Sequence, residues 1–377
     1  MENSEDKILL SNTKPKIKSK KNKYKSLKSK TKKEKEIEKQ RYYIFDNFKG
    51  LLIFTVVFAH FLWEYVRSHN NKLARKLVIF IYYFHMPGFI FISGFLTSDN
   101  SSKISNSFRL LILYYIFNFS FNIIMHKYFN TRMDLINPQL SYWYLLSLFF
   151  WRIFIKYINK IKISFITSMI ISLLEGYSKF FTNAFSLIRT VAYLPFFIAG
   201  YKIAKTQIFD KFLLWRKHLF KYVCFIIPFI FFLYRLNIYI DKNMHKIVNE
   251  TLIMFGYDNN NTIKARIIFF IIAFLMILFC ILVLPNAKIP IINTWGKNSL
   301  YIFLFHRIFA VFADKKLFIQ RKYSDNIIEY SFLFTLIILF FFGSNLVNIL
   351  CNSIVNFIHK NIIEFKIIGI IIIILFL

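Results

Sequence analysis

Residues 45–65 read FDNFKGLLIFTVVFAHFLWEY, an apolar run interrupted by a few charged or titratable side chains. A helix that crosses a hydrocarbon core of about 30 Å needs about 20 predominantly apolar residues. The run therefore predicts a membrane-spanning helix at 48–66. Lys49 and His60 are eleven residues apart, which is close to three helical turns, so both lie on one face of that helix.

Acidic residues accompany both basic ones on this helix. Asp46 lies one turn before Lys49, and Glu64 lies one turn after His60. A charge at the bilayer centre costs at least about 2.5–3.5 kcal/mol, so a charge that is kept there is a candidate for function. The pattern indicates a polar stripe that lines a water-filled cavity. The alternative is structural, with His60 satisfied by packing and Lys49 extending its charged end to the interface.

The rest of the chain also has the composition of a membrane protein. Of its 377 residues, 56% are hydrophobic and 20% aromatic, and only nine are glycine. Soluble domains are about 45–50% apolar even with glycine counted. A soluble enzyme, a disordered protein and a disulfide-rich secreted module are therefore excluded.

We predict an all-α fold, a polytopic transmembrane helical bundle of about ten helices. Three stretches contain no Asp, Glu, Lys or Arg, namely 77–98, 267–287 and 330–358. Others qualify only if one to three Asp, Glu, Lys or Arg residues are admitted, namely 48–66, 107–126, 185–204, 219–236 and 297–314. Basic residues interrupt 140–180, which predicts two helices joined by a tight turn. If the apolar run 367–377 crosses the membrane, it adds an eleventh span.

Charge divides the chain into three parts. Residues 1–40 predict a disordered basic cytoplasmic tail, residues 41–360 the membrane domain, and residues 361–377 an apolar C-terminal segment. Residues 1–43 hold 15 of the 50 Lys and Arg but 6 of the 19 Asp and Glu. Such a tail also suits anionic lipid or nucleic acid. We expect instead that the tail sets the orientation of the protein in the plasma membrane, with the N-terminus in the cytoplasm. We expect no nucleic-acid partner.

The second span reads YYFHMPGFIFISGFLTS at residues 82–98. Pro87 removes a backbone hydrogen bond and frees a carbonyl in the preceding turn. His85 beside this kink suits the wall of a cavity, or else it packs between helices and bonds the freed carbonyl. Ser93 and Gly94 form a small-residue patch where another helix can approach closely.

Polar residues also mark two later spans. WGKNSLYIFLFH at 295–306 places His306 two turns beyond a helix start, and histidine is rare at that depth. In the span 330–358, four asparagines share one helix face and predict interhelical hydrogen bonds rather than a site: Asn345, Asn348, Asn352 and Asn356. The three cysteines are far apart and have no metal-type spacing, so no metal is expected.

Four segments together resemble the acyltransferase 3 family, most closely its fucose 4-O-acetylase-like branch. In chain order they are RYYIFDNFKGLLIFTVVFAHF from residue 41, FHMPGFIFISGF from 84, LIRTVAYLPFFIAGY from 187 and WGKNSLYIFLFH from 295. The resemblance implies about ten transmembrane helices and transfer of an acyl group, commonly acetyl from acetyl-CoA, to a hydroxyl of a carbohydrate, a glycolipid or another membrane-side acceptor.

The resemblance also implies roles for particular residues. The first family motif is most often Arg-x10-His, and here Lys49 stands at its basic position, which keeps the charge but loses the bidentate guanidinium. His60 matches the motif histidine, the usual candidate for the catalytic base. Imidazole suits that task near neutral pH. Our own inference adds Glu64, which would orient His60 as a carboxylate does in hydrolase triads.

The remaining site residues complete the expected assignment. Coenzyme A carries phosphates, so its site is expected to be basic and open to the cytoplasm. The candidates are catalytic His60, Glu64 and His85, cofactor-binding Lys49 and Arg189, and substrate-binding Asp46 and His306. The expected partners are acetyl-CoA, a carbohydrate or glycolipid acceptor, and membrane lipids.

Two other functions fit the same sequence. A polytopic transporter or flippase would use the buried His and Lys to carry protons or to bind substrate. A family member without catalysis would act as a scaffold through its basic tail. The four segments argue against the first alternative, and the retained Lys49, His60 and His85 argue against the second.

Overall fold

The computed structural model describes residues 42–68, 71–98, 104–134, 137–177, 184–215, 229–230, 232–240, 263–315 and 326–364. Every regular element in these ranges is helical and none is a β-strand, which confirms the all-α class. The predicted tail at 1–40, most of the predicted span 219–236 and the apolar run 367–377 lie outside the described residues.

The α-helices follow one another through short connections. In chain order they are α1 (Tyr43–Ser68), α2 (Lys72–Tyr82), α3 (His85–Phe95), α4 (Ile104–Phe129), α5 (Trp143–Ile158), α6 (Ser164–Leu174), α7 (Leu187–Ala192), α8 (Leu194–Ala204), α9 (Ile208–Trp215), α10 (Ile263–Val283), α11 (Pro290–Lys297), α12 (Ser299–Lys315), α13 (Ile327–Phe342) and α14 (Asn345–Glu364). Residues 232–240 are also helical. Short 3-10 turns precede α5, follow α6 and precede α7.

Four helical segments in the described ranges are long and apolar enough to cross a membrane: Tyr43–Trp63, Lys72–Phe95, Asn106–Phe129 and Ile263–Val283. The second of these joins α2 to α3. Shorter apolar helices include Leu194–Ala204 and Ser299–Ala313. These segments establish a multi-pass membrane protein, and the number ten stays a prediction.

The prediction of one uninterrupted span at 330–358 is wrong, because the helix is broken within it. The chain breaks between α13 and α14, and the two helices are bent by 58° at that point. The break falls at Gly343 and Ser344, where Gly343 packs against the Leu339 carbonyl and the Trp295 ring. A stretch of this length exceeds the bilayer thickness as a straight helix, so the chain makes a broken span or a re-entrant segment.

The regions 140–180 and 185–204 both contain two helices. The first was predicted as two helices with a basic turn, and α5 and α6 confirm it. The second was predicted as one span but is divided at Tyr193 into α7 and α8. Pro195 lies in the first turn of α8, where a missing N–H is tolerated because that position has no intrahelical partner.

The asparagine face of α14 bonds to other helices, as predicted. The Asn352 side-chain oxygen accepts from Arg109 on α4 at 2.6 Å and from the Tyr301 hydroxyl on α12 at 2.9 Å. Asn345 accepts from Asn298 at 3.1 Å. These bonds join three helices that are far apart in the sequence, so this face has a structural role.

Two buried charges at the junction of α6 and α10 form an ion pair. Arg266 contacts the carboxylate of Glu175, and each side chain is about 1% exposed. Arg266 also donates to the Ser172 carbonyl at 2.7 Å. Each charge is kept in the apolar interior by its partner, and neither residue was singled out from the sequence.

Glycines allow α3 and α8 to pack with their backbones in contact. A Cβ at Gly94 would meet the Phe197 carbonyl, and a Cβ at Gly200 would meet the Phe91 carbonyl. The sequence predicted a close helix approach at Ser93 and Gly94, and α8 is the helix that makes it. Close approach through small residues is a common way for helices to associate in lipid.

Replacing Gly200 by alanine is expected to lower the free energy of unfolding by about 1–3 kcal/mol, the usual cost of overpacking. The new methyl group would press against backbone atoms, which cannot move away. Gly88→Ala is the matched control, because its Cβ would meet only side-chain atoms of Leu52 and Phe48 at 3.0–3.3 Å. Both changes bring the same gain in helix propensity. Equal unfolding temperatures in detergent for the two proteins would contradict the prediction.

Candidate active site

His60 lies at the centre of a polar cluster between α1, α2, α3 and α12. The histidine cluster, as we use the term, consists of His60, Tyr82, His85, His306 and Arg307. Apolar contacts of the surrounding turns hold α1 against α2 on either side of His60, with contributions from Phe58, Ala59, Leu62, Trp63, Ala74, Val78 and Ile81.

Two side chains from α12 meet His60 directly. Arg307 donates from its guanidinium to His60 Nδ1 at 3.0 Å. The His306 ring stacks on the His60 ring, with centroids 5.2 Å apart and planes inclined by 29°. His306 and Arg307 are both at most 5% exposed. This contact joins parts of the chain that are 247 residues apart.

His306 is fixed by its own helix. Its Nδ1 donates to the Phe303 carbonyl at 2.7 Å and lies 3.2 Å from the Ile302 carbonyl. Its Nε2 is buried and has no hydrogen-bond partner among the described residues. A buried polar atom without a partner is uncommon and often marks a functional position.

The Tyr82 ring contacts both His60 and His85. Its ring centroid is 6.2 Å from that of His60 and 4.9 Å from that of His85, with edge-to-face geometry in both pairs. His85 Nδ1 donates to the Ile81 carbonyl at 2.8 Å, in the turn before Pro87. A bond to a backbone carbonyl is compatible with a packing role, although this carbonyl also accepts from the Phe84 N–H and is not the one that Pro87 frees.

Arg189 reaches the edge of the cluster from α7. Its guanidinium lies over the Trp143 ring at 5.5 Å and interacts electrostatically with Tyr193 and Tyr82. Trp143 and Tyr193 stack with centroids 5.3 Å apart. An arginine beside aromatic faces suits a ligand that combines negative charge with a flat ring.

Lys49 and Asp46 are not part of the histidine cluster. Lys49 Nζ pairs with the Asp46 carboxylate at 3.0 Å, and the Lys49 side chain is 19% exposed. Eleven residues of helix separate Lys49 from His60, or about 16 Å along the axis. The first helix therefore carries two separate polar sites, one near its beginning and one near His60.

The surroundings of the Lys49 pair are well packed. The Asn47 amide donates to the Pro285 and Ala287 carbonyls at 3.0 and 2.8 Å. A Cβ at Gly296 would meet the Asp46 carbonyl, so α11 lies directly against this end of α1. The basic end of the predicted stripe is thus anchored to the segment that leads into α12. Glu64 belongs to α1 as well, but its side chain lies outside the described part of the structure.

Arg307, Tyr82 and Trp143 are the contributors that the sequence did not single out. The dipeptide His306-Arg307 inside an apolar helix was a usable signal, because a buried arginine is costly without a partner. Tyr82 and Trp143 gave no such signal among 22 tyrosines and 5 tryptophans. Within the described ranges, no three His, Cys, Asp or Glu side chains are grouped to hold a metal ion.

Comparison with known proteins gives one match. The family model described as "Acyltransferase domain" matches residues 42–346, a stretch from α1 to the beginning of α14 that includes the whole histidine cluster. Neither the curated proteins nor the solved structures give a significant match. The family match covers well over half of the sequence, and it agrees with the four motifs read along it. The chain therefore belongs to the acyltransferase 3 family of integral-membrane acyltransferases.

Proposed function

We propose that this protein is an O-acyltransferase that moves an acetyl group from acetyl-CoA to a hydroxyl of a carbohydrate or glycoconjugate. The observation that carries the proposal is the histidine cluster, which brings His60, His85 and His306 together with Tyr82 inside the helical bundle of an acyltransferase family member. The proposed location is the plasma membrane, with the N-terminus in the cytoplasm.

The chemistry requires a base at this point. An alcohol does not attack a thioester at neutral pH unless a positioned group takes its proton. Imidazole is the side chain best matched to that task and typically contributes 10²–10⁴-fold to the rate. The family motif makes His60 the first candidate for this role, and His306, stacked on its ring, is the second. His85 would line the thioester or acceptor pocket, and Glu64 would orient the His60 imidazole.

The acyl donor, acetyl-CoA, carries phosphate groups, so its binding site requires cationic side chains. Arg189 supports this part of the proposal, because its guanidinium lies over the Trp143 ring and interacts electrostatically with Tyr82 of the cluster. Phosphate suits its guanidinium, and an adenine base suits the nearby aromatic rings. Lys49 would bind a more distant part of the donor from its place three turns away on α1. Asp46 stays a candidate for the acceptor, as does His306.

Transport is the second candidate function. Buried titratable groups in a membrane bundle are also typical of proton relays, and the broken pair α13 and α14 resembles the discontinuous helices that bind substrates in transporters. The family match favours acyl transfer. The two functions differ in whether acetyl-CoA is consumed.

The test is thiol release from acetyl-CoA by the detergent-purified protein with a panel of sugar and glycolipid acceptors. We expect release that depends on the acceptor and is 10²–10⁴-fold slower in a His60→Ala/His306→Ala double variant of normal unfolding temperature. Absence of both release and acetyl-CoA binding, with substrate movement across proteoliposomes, would establish the transport function instead.

A further inference from the structure

The three histidines of the cluster differ in which ring nitrogen is able to take a proton. A neutral imidazole has one N–H and one lone pair, and the partner of one nitrogen decides the state of the other. A general base must present its lone pair to the substrate. The hydrogen bonds of the cluster therefore identify which histidine is able to act as the base.

The ring nitrogen of His60 that faces away from Arg307 carries a proton and is a hydrogen-bond donor. Arg307 has only N–H groups, so in their contact at 3.0 Å the guanidinium donates and His60 Nδ1 accepts. The Nδ1 lone pair is thereby occupied. The proton of the neutral ring is on Nε2, and a nitrogen in that state donates a hydrogen bond but cannot accept a proton.

His306 has the opposite arrangement. Carbonyl oxygens only accept, so the contacts to Phe303 and Ile302 place the proton on Nδ1 and the lone pair on Nε2. That Nε2 is buried without a hydrogen-bond partner in the described ranges. A base whose second nitrogen donates to a fixed acceptor is the arrangement that hydrolase triads use.

His85 has the same state as His306 but a different position. Its Nδ1 donates to the Ile81 carbonyl, which leaves the lone pair on Nε2. His85 makes its ring contact with Tyr82, whereas the His306 ring stacks directly on the His60 ring at 5.2 Å. A donor and a base that act on the same reacting groups must be adjacent. His306, rather than His85, is therefore the histidine positioned to act as the base together with His60.

We propose that His306 is the general base through Nε2, and that His60 is the hydrogen-bond donor to the thioester carbonyl through Nε2–H. This assignment rests on the proposed acyl transfer. The acceptor O–H bond breaks and its proton goes to His306 Nε2. The acceptor oxygen bonds to the thioester carbon while His60 stabilises the developing oxyanion. The C–S bond then breaks, and the leaving thiolate takes the proton from His306 to give coenzyme A.

Glutamine variants separate the two roles. Glutamine at position 60 or 306 can donate a hydrogen bond but cannot accept a proton, so it replaces a donor better than a base. We expect His306→Gln to lower kcat by 10²–10⁴-fold and His60→Gln by at most about tenfold, the worth of one hydrogen bond. The reverse order of losses would overturn the assignment and return the base to His60.

A second measurement does not depend on turnover. Nitrogen-15 NMR of the full-length protein labelled at histidine distinguishes the two neutral tautomers, and each signal is assigned by its loss in the matching glutamine variant. We expect Nε2–H for His60 and Nδ1–H for His306. An Nε2–H state at His306 would overturn the assignment, and His306→Asn supplies the assignment of the signal if His306→Gln fails to fold.

The two proposals fail in different ways. Wild-type protein that does not consume acetyl-CoA with any acceptor would overturn the acyl-transfer function. Wild-type turnover together with undiminished turnover in His306→Gln would overturn only the assignment of the base.

Discussion

A Glu175→Leu protein is expected to lose about 3–5 kcal/mol of its free energy of unfolding, the usual cost of removing one partner from a buried ion pair. Leucine has a similar size but no charge, and it would leave the Arg266 guanidinium in an apolar interior without the carboxylate that balances its charge, while the bond to the Ser172 carbonyl would remain. Both side chains are about 1% exposed, so water does not replace the carboxylate.

The measurement is thermal unfolding of the detergent-solubilised protein, followed with a thiol-reactive dye that reports exposure of Cys280, which is buried in the folded state. The matched control is Glu175→Leu/Arg266→Met, in which no charge is left without a partner. We expect the double variant to recover most of the loss, because apolar pairs of similar volume often replace a buried ion pair at little cost. If the double variant is as unstable as the single variant, the pair is not the reason for the loss.

Local patterns predicted the polar residues well, because a helix in lipid leaves few places for a charge. The eleven-residue spacing of Lys49 and His60 predicted one helix face, and both residues lie on the single helix α1. The small-residue patch at Gly94 predicted a close helix contact, and the structure shows the contact with Gly200 of α8. Periodicity and residue size are properties of neighbouring residues, so the sequence displays them directly.

The partners of these residues could not be predicted in the same way. His60 meets Arg307 across 247 residues, and which helices become neighbours depends on the packing of the whole bundle. On α1 itself, Asp46 and Lys49 form the pair that their spacing of one turn predicts. The contact of His60 with α12 cannot be read from the pattern of a single helix.

Helix breaks were the other source of error. Hydropathy predicted 185–204 and 330–358 as continuous spans, because apolar composition does not distinguish one bent helix pair from a straight helix. Pro195 and the pair Gly343-Ser344 were the local signals, and both act through the backbone rather than through hydropathy. Pro87 is a signal of the same kind, and the sequence predicts a kink there because the proline stands beside His85.

Replacing Arg307 by methionine is expected to lower kcat by about two- to tenfold, because Arg307 acts through His60 and the donor that it maintains is worth about one hydrogen bond. Arg307 donates to His60 Nδ1, and this contact keeps the proton of the neutral ring on Nε2. Without it the two tautomers of His60 become closer in energy, and the donor toward the thioester is present only part of the time. The loss is expected in kcat rather than in KM, because the oxyanion forms only in the transition state.

Arg307→Lys is the matched control, since lysine keeps the charge and donors but lacks the planar fork of the guanidinium. We expect its kcat to lie between those of the wild type and Arg307→Met. Nitrogen-15 NMR supplies a readout that a purely structural role would not change, because the Nε2–H fraction of His60 should fall in Arg307→Met. A folded Arg307→Met protein with wild-type kcat and an unchanged His60 tautomer would show that Arg307 does not position His60.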